Sequence, residues 1–193
     1  MSFFNSMPED ARPGSVFRKY PDVFDPWVKM SQAVMNGPSA LSPGERELIA
    51  TYVVGLAKCD YAYVAHAATT YAWGVQEGLC EAILDDPDTA PIEEKLRPLL
   101  AFVRKLTLTP SEMEQADADA VFAAGWDESA LHDAIMVTAR MSFMNRLVEG
   151  YGFTPMTPET AKADAQLRVD KGYQDKHPEF TEESLSGETS FRS

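Results

Sequence analysis

Cysteine, positive charge and long apolar runs are all scarce in this sequence, and each shortage excludes a class of protein. Two cysteines in 193 residues cannot build a disulfide framework, so Cys59 and Cys80 are expected to be thiols in a reducing cytoplasm. A net charge of -13 disfavours nucleic acid and anionic lipid as partners. No signal-peptide pattern and no run long enough to cross a bilayer is present. We therefore predict a cytoplasmic protein that binds neither nucleic acid nor membranes.

Helical periodicity, in contrast, is abundant. Apolar residues recur at helical spacing along most of the chain, and no segment shows the strict alternation of a half-buried strand. The predicted fold class is all-α. One helical domain is expected over residues 1–156, with its core at about 20–152 and an irregular N-terminal arm, followed by a C-terminal helix and polar tail over 157–193. The helix over 127–150 is apolar on most sides, which predicts a central or interfacial position.

Three helix starts carry capping residues. Ser42 followed by Glu45, and Thr109 followed by Glu112, each have the spacing of a capping box, in which two backbone amides are satisfied reciprocally. Asp127 is predicted to cap a third helix. The first of these starts places a helix immediately before the segment with the most reactive side chains.

That segment, "KCDYAYVAH" at 58–66, places four side chains on one predicted helix face. Cys59, Ala62, Tyr63 and His66 fall at i, i+3, i+4 and i+7. If this helix packs antiparallel to the preceding one, Glu47 converges with the thiol and the imidazole. A neighbouring imidazole or a helix N-terminus favours the reactive thiolate, and a carboxylate orients the imidazole.

Each of these residues also has a purely structural interpretation. Cys59 fits a buried, inert thiol, since free cysteine is among the most buried residue types. His66 fits a core histidine that is hydrogen-bonded to Glu47 or to a backbone carbonyl. Glu47 fits a solvated carboxylate. From the residues alone, both interpretations stay open.

The motif itself resembles the alkylhydroperoxidase D-like and carboxymuconolactone decarboxylase superfamily. Its core is a Glu, eleven residues, then Cys-x-x-Cys-x-x-x-His, and Glu47, Cys59 and His66 match their positions. Further stretches, "RKLTLTP", "AGWDESAL" and "FMNRLVEGYG", resemble the branch called uncharacterised peroxidase-related proteins. The resemblance covers about residues 20–152. It implies an alkylhydroperoxidase D-like helical bundle, homo-oligomers, and a pocket between helices near the subunit interface.

The chain departs from the thiol peroxidases of this superfamily at one position. Ala62 stands where those members carry the second cysteine, which is thought to attack the hydroperoxide. A two-cysteine cycle within the motif is therefore impossible. The decarboxylase-like members often have a carboxylate there, so this sequence is complete in neither pattern.

Three functions follow from the resemblance and the departure. The first is a peroxidase-related thiol oxidoreductase acting on hydroperoxides, in which Cys59 is the redox thiol, His66 and Glu47 support it, and an external thiol is the reductant. The second is a cofactor-free lyase or isomerase of a small organic acid, with His66 and Glu47 as general acid and base. The third is a non-catalytic ligand-binding oligomer.

The remaining site predictions concern the substrate and metals. Tyr63 and Ala62 are the predicted substrate-binding residues, because they share the face of His66. His132 and His177 show no paired ligand spacing, and the sequence has no Glu-x-x-His, so we expect neither a metal site nor a bound cofactor.

Overall fold

The predicted all-α fold is confirmed by a computed structural model, which describes residues 2–175. Within this range the chain forms nine α-helices and a 3₁₀ turn, without a strand. The helices are α1 (Pro13–Lys19), α2 (Pro21–Asn36), α3 (Pro43–Leu56), α4 (Asp60–Ala72), α5 (Leu79–Asp85), α6 (Leu96–Leu108), α7 (Gln115–Ala123), α8 (Glu128–Tyr151) and α9 (Pro158–Asp175). None of the helices in this range is long and apolar enough to span a membrane.

Two of the three capped helix starts lie where the sequence indicates. The Glu45 amide donates to Ser42 Oγ at 3.2 Å while the Ser42 amide donates to Glu45 Oε2 at 2.7 Å, and Asp127 Oδ1 accepts from the Ala130 amide at 2.8 Å. The start at Thr109 is different. It leads only into the 3₁₀ turn Pro110–Glu112. This turn ends there because the next residue has extended backbone.

The most enclosed helix is α3. Every residue from Arg46 to Val54 is buried, because α3 packs against α4, α6 and α8. The long helix α8, predicted to be central or interfacial, buries one face and leaves Ile135 and Phe143 exposed. These two large apolar side chains of α8 therefore lie at the surface of the described chain.

Helices α3 and α4 form an antiparallel hairpin. The chain passes from one to the other through Ala57, Lys58 and Cys59, with Lys58 in the left-handed conformation (φ 55°). At the opposite end, Gly44 of α3 lies against Trp73, which follows α4. This hairpin sets Glu47 and His66 side by side.

Both chain ends of the described range contribute to this hairpin's surroundings. The arm expected to be irregular contains α1, whose Val16 and Phe17 are buried. The C-terminal helix predicted at 158–173 is present as α9 and packs on α4 and α2. Most of the predicted polar tail, residues 176–193, lies outside the described residues.

Candidate active site

The predicted convergence of Glu47 and His66 is present. His66 Nδ1 lies 2.8 Å from Glu47 Oε2, and the two residues are 6% and 1% exposed. A charged carboxylate this deeply enclosed is tolerated only where hydrogen bonds and opposite charge replace its lost water. The bond to His66 supplies one of these replacements.

A third side chain, which the sequence did not indicate as part of the site, completes the group. Tyr173 of α9 donates its hydroxyl to Glu47 Oε1 at 2.5 Å and lies 3.5 Å from His66 Nδ1. Its ring is stacked near the imidazole, with centroids 6.4 Å apart. Each oxygen of Glu47 thus has its own hydrogen-bond partner.

The protonation of this group follows from burial and charge. Burial lowers the pKa of His66, an effect that outweighs the nearby Glu47 carboxylate. Burial alone would raise the pKa of Glu47, but His66, Arg168 and Tyr173 together hold that pKa below its usual value. Near neutral pH the pair is therefore an ionised carboxylate and a neutral imidazole. With Nδ1–H donated to Glu47, Nε2 carries the free lone pair.

His66 forms part of the wall of a cavity of about 370 Å³. This volume suits a small organic molecule. The wall comes from the N-terminal arm and α1, from α2, α4, α8 and α9, and from the segment between α8 and α9. Its side chains on the helical side of the cavity are Phe17, Trp27, Tyr61, Ala62, Ala65, His66, Arg140, Met141, Met144, Val148, Arg168 and Tyr173.

Positive charge is concentrated around this cavity, although the whole chain is strongly acidic. Four arginines line it against two aspartates: Arg12, Arg18, Arg140 and Arg168 against Asp10 and Asp164. Arg168 is paired with Asp164 at 2.7 Å. An anion entering this cavity therefore meets a local field opposite in sign to the protein's net charge.

Arg140 differs from the other arginines of the wall, because it is buried and has no carboxylate hydrogen-bonded to it among residues 2–175. Its guanidinium lies over the rings of Trp27 at 5.2 Å and Tyr173 at 4.4 Å, and one of its nitrogens contacts Met141 Sδ. Its Nε has no hydrogen-bond partner. A buried guanidinium with unused donors fits an anionic ligand.

Cys59 does not join this group. It is the N-cap of α4 with extended backbone (φ -92°, ψ 90°), so its side chain leaves the helix face that its spacing predicted. It is buried, does not line the cavity, and has Glu149 and Asp60 as charged neighbours. Burial, with these carboxylates, raises its pKa to about 12. The thiolate is therefore disfavoured at this position.

The two predicted substrate-binding residues lie in different surroundings, and one of them is in the cavity wall. Ala62 lines the cavity, as expected. Tyr63 is not part of the cavity wall, and its hydroxyl donates to Glu81 of α5 at 3.2 Å. The cavity-facing side of α4 is instead formed by Tyr61, Ala62, Ala65 and His66.

Cys80 cannot act as a resolving partner for Cys59 in this arrangement. Its thiol lies among Thr51, Thr70 and Tyr71, and burial raises its pKa to about 11. Thr70 is eleven positions beyond Cys59, so the two thiols are separated by about 16 Å along α4. A disulfide requires Cα atoms within about 7 Å. Both cysteines are free.

The fold and the site define a class of protein: an all-α chain with a helical hairpin that places a buried Glu–His pair against an arginine-rich cavity. Within residues 2–175, no group of three or more His, Cys, Asp or Glu side chains is arranged to hold a metal ion.

Residues 21–85, which include Glu47, Cys59 and His66, match the sequence model of the carboxymuconolactone decarboxylase family. The fold is similar to an uncharacterized peroxidase-related protein from Silicibacter sp. TM1040, with 27% identity, a TM-score of 0.70 and 75% of each chain covered. It is also similar to an alkylhydroperoxidase AhpD core, an uncharacterized peroxidase-related protein from Ralstonia eutropha JMP134, at 23% identity, a TM-score of 0.70 and 78% of each chain. No curated protein matches. The resemblance to the superfamily and to its peroxidase-related branch is confirmed.

The protonation of the pair is testable by NMR. We expect His66 to titrate below the usual histidine value of 6.5, because burial penalises the imidazolium. Nitrogen-15 chemical shifts of the histidine side chains, followed over pH, would measure this. Titration of His66 at or above 6.5 would contradict the assignment.

The two thiols are expected to be unreactive in the folded protein. At pH 8 both remain protonated, since their pKa values are raised to about 12 and about 11. Reaction with a chromogenic disulfide reagent should therefore be at least about 100-fold slower than after unfolding in guanidinium. A native thiol that reacts at the unfolded rate would show that one cysteine is activated.

Proposed function

We propose that this chain is an enzyme that moves a proton on a small organic anion, with His66 as general base and then general acid. One observation carries the proposal. The free Nε2 of a neutral His66, supported by the ionised Glu47, lines the same cavity as the buried Arg140. A base and an anion-binding group therefore face one small substrate.

The reaction follows from the two nitrogens of His66. Nε2 removes a proton from a carbon next to the substrate's carbonyl, and the electron pair of the C–H bond passes into the enolate. The imidazolium that results is stabilised by Glu47 at Nδ1. Nε2 then returns the proton to the substrate at another atom. This sequence is that of an isomerase. A lyase results when the enolate instead expels a leaving group from the next carbon and Nε2 gives its proton to that group. Neither route consumes an oxidant or a reductant.

Substrate binding is assigned to Arg140. Arg168 is already paired with Asp164, whereas among the described residues no carboxylate is hydrogen-bonded to Arg140. Arg140 contacts aromatic rings and a thioether, and Glu47 and the Tyr173 hydroxyl act on it as nearby polar groups. A carboxylate of the substrate supplies the missing anionic partner. The aromatic and methionine side chains of the wall then enclose its apolar part.

The thiol oxidoreductase function has weaker support from the geometry. A one-cysteine peroxidase needs an accessible thiolate, and Cys59 is buried, outside the cavity wall and beside carboxylates. We therefore treat Cys59 as a bystander. A ligand-binding oligomer would use the same cavity without turnover. Turnover that is lost when His66 is replaced would therefore support the proposed enzyme over a binding protein. The homo-oligomer and the cytoplasmic location remain predictions.

Solvent deuterium exchange tests the reaction. In D₂O the protein should introduce deuterium into at least one member of a panel of small 2-oxo acids and unsaturated lactone acids, followed by proton NMR. His66→Ala should slow the exchange by about 10²–10⁴-fold, the usual contribution of a general base. Cys59→Ala, the control, should leave the rate unchanged. Loss of exchange in Cys59→Ala, with His66→Ala still active, would overturn the proposal.

Anion binding is tested separately, by calorimetric titration with benzoate. Arg140→Met should weaken binding about tenfold or more, because a hydrogen bond to a charged group contributes about 1.5–3 kcal/mol. The matched control is Arg146→Met, since Arg146 is exposed on the same helix and, in the described part of the chain, bonds only to the Ser142 carbonyl. Equal affinities of the two variants would remove Arg140 from the site.

A further inference from the structure

One side chain of the C-terminal helix α9 contacts the Glu47–His66 pair. Tyr173 is 6% exposed, and its hydroxyl donates to Glu47 Oε1 while its ring lies between Arg140 at 4.4 Å and Arg168 at 5.8 Å. A buried phenol hydroxyl usually needs a hydrogen-bond acceptor, and here the acceptor is the carboxylate that supports His66. The hydroxyl is therefore placed where it can act on the proposed base through Glu47.

A second set of hydrogen bonds holds helix α9 next to His66. Arg168 donates to the Ala65 carbonyl at 3.0 Å and to Thr69 Oγ1 at 2.8 Å, and both acceptors lie on α4 on either side of His66. The Asp164–Arg168 ion pair holds the guanidinium in place. These bonds fix α9 relative to the base.

A break in α9 then turns Tyr173 toward Glu47. Gly172 has φ 73° and ψ -169°, a backbone conformation that residues other than glycine rarely adopt. The Tyr173 amide donates to Gln32 Oε1 of α2 at 2.6 Å, and a Cβ on Gly172 would lie 2.5 Å from the same oxygen. The break is thus held by a specific bond from another helix.

We propose that Tyr173 is a positioning residue of the reaction, acting through Glu47 on His66. By holding Oε1, it fixes the carboxylate with Oε2 toward Nδ1, and it shares the negative charge that stabilises the imidazolium. This inference rests on the proposed proton transfer, because it concerns the same base.

The direction of the effect follows from hydrogen bonding. The hydroxyl of Tyr173 stabilises the carboxylate and lowers the pKa of Glu47. Without that bond Glu47 becomes a stronger acceptor and holds the imidazolium more tightly, so the pKa of His66 rises. The other charged groups around the pair in the described chain are Arg46 on α3, Arg140 on α8 and Arg168 on α9. Removing the phenol oxygen leaves the ring over Arg140 and Arg168 in place, but it also removes the contribution of the hydroxyl to the surroundings of Arg140. The Glu47→Gln background is therefore needed to separate the two routes to His66.

The test is a double-mutant cycle read by nitrogen-15 NMR of His66. Tyr173→Phe should raise the pKa of His66 and move the acidic limb of deuterium exchange to higher pH. The matched control is Tyr52→Phe, since Tyr52 is buried as well but its hydroxyl has no hydrogen-bond partner within residues 2–175. That variant should leave the pKa of His66 unchanged.

Tyr173→Phe in the Glu47→Gln background distinguishes an effect that passes through the Glu47 carboxylate from a loosening of the packing around His66. If Tyr173 acts through the carboxylate, Tyr173→Phe has no effect on the pKa of His66 once Glu47 is replaced. A shift of the same size in both backgrounds would mean that water reaches His66 directly, which would overturn the proposal. Should Glu47→Gln fail to fold, the carbon-13 chemical shift of the Glu47 carboxyl group is measured instead. That signal should move in Tyr173→Phe and stay in Tyr52→Phe, and the reverse would contradict us.

The cycle reads a pKa rather than turnover, so it stands apart from the test of the proposed function. If no deuterium exchange occurs while the cycle gives the expected coupling, the proton-transfer function fails and the contact of Tyr173 with the pair remains established. If exchange occurs without coupling, the function stands and the positioning role fails.

Discussion

The burial of one carboxylate governs the architecture around the site. Glu47 is almost completely enclosed within α3, the most buried helix of the described chain, and a charge in such an environment is stable only with full hydrogen bonding and nearby positive charge. The α3–α4 hairpin supplies His66, and α9 supplies Tyr173 with Arg168 close by. Two consecutive helices and a third that follows about 85 residues later along the chain are thereby held in one arrangement.

The same arrangement explains how an acidic protein can attract an anion. The net charge of -13 is spread over the chain, whereas the cavity wall has more arginines than aspartates. Because the field within a cleft depends on the charges that line it, the local excess decides which molecules enter. Arg140 is buried in the cavity wall and is close enough to His66 to act on its charge, so a carboxylate bound there would hold the rest of a substrate close to Nε2.

The sequence predicted the fold and the core of the site because both depend on local patterns. Helical periodicity and the cap at Ser42 place α3, and the short link to α4 brings Glu47 to His66. The position of Cys59 was harder to predict, since an N-cap does not have helical geometry and the i, i+7 relation fails there. Tyr173 was not predictable, because its partner is 126 positions away and no local pattern signals the break at Gly172.

Neutron diffraction on deuterated crystals near neutral pD tests the central claim most directly, since it locates the protons of the Glu47–His66–Tyr173 group. The account predicts deuterium on Nδ1 of His66 and none on Nε2, an ionised Glu47, and a Tyr173 deuteron directed at Oε1. Deuterium on Nε2 with a bare Nδ1, or a protonated Glu47, would contradict it, because His66 would then present no base to the cavity.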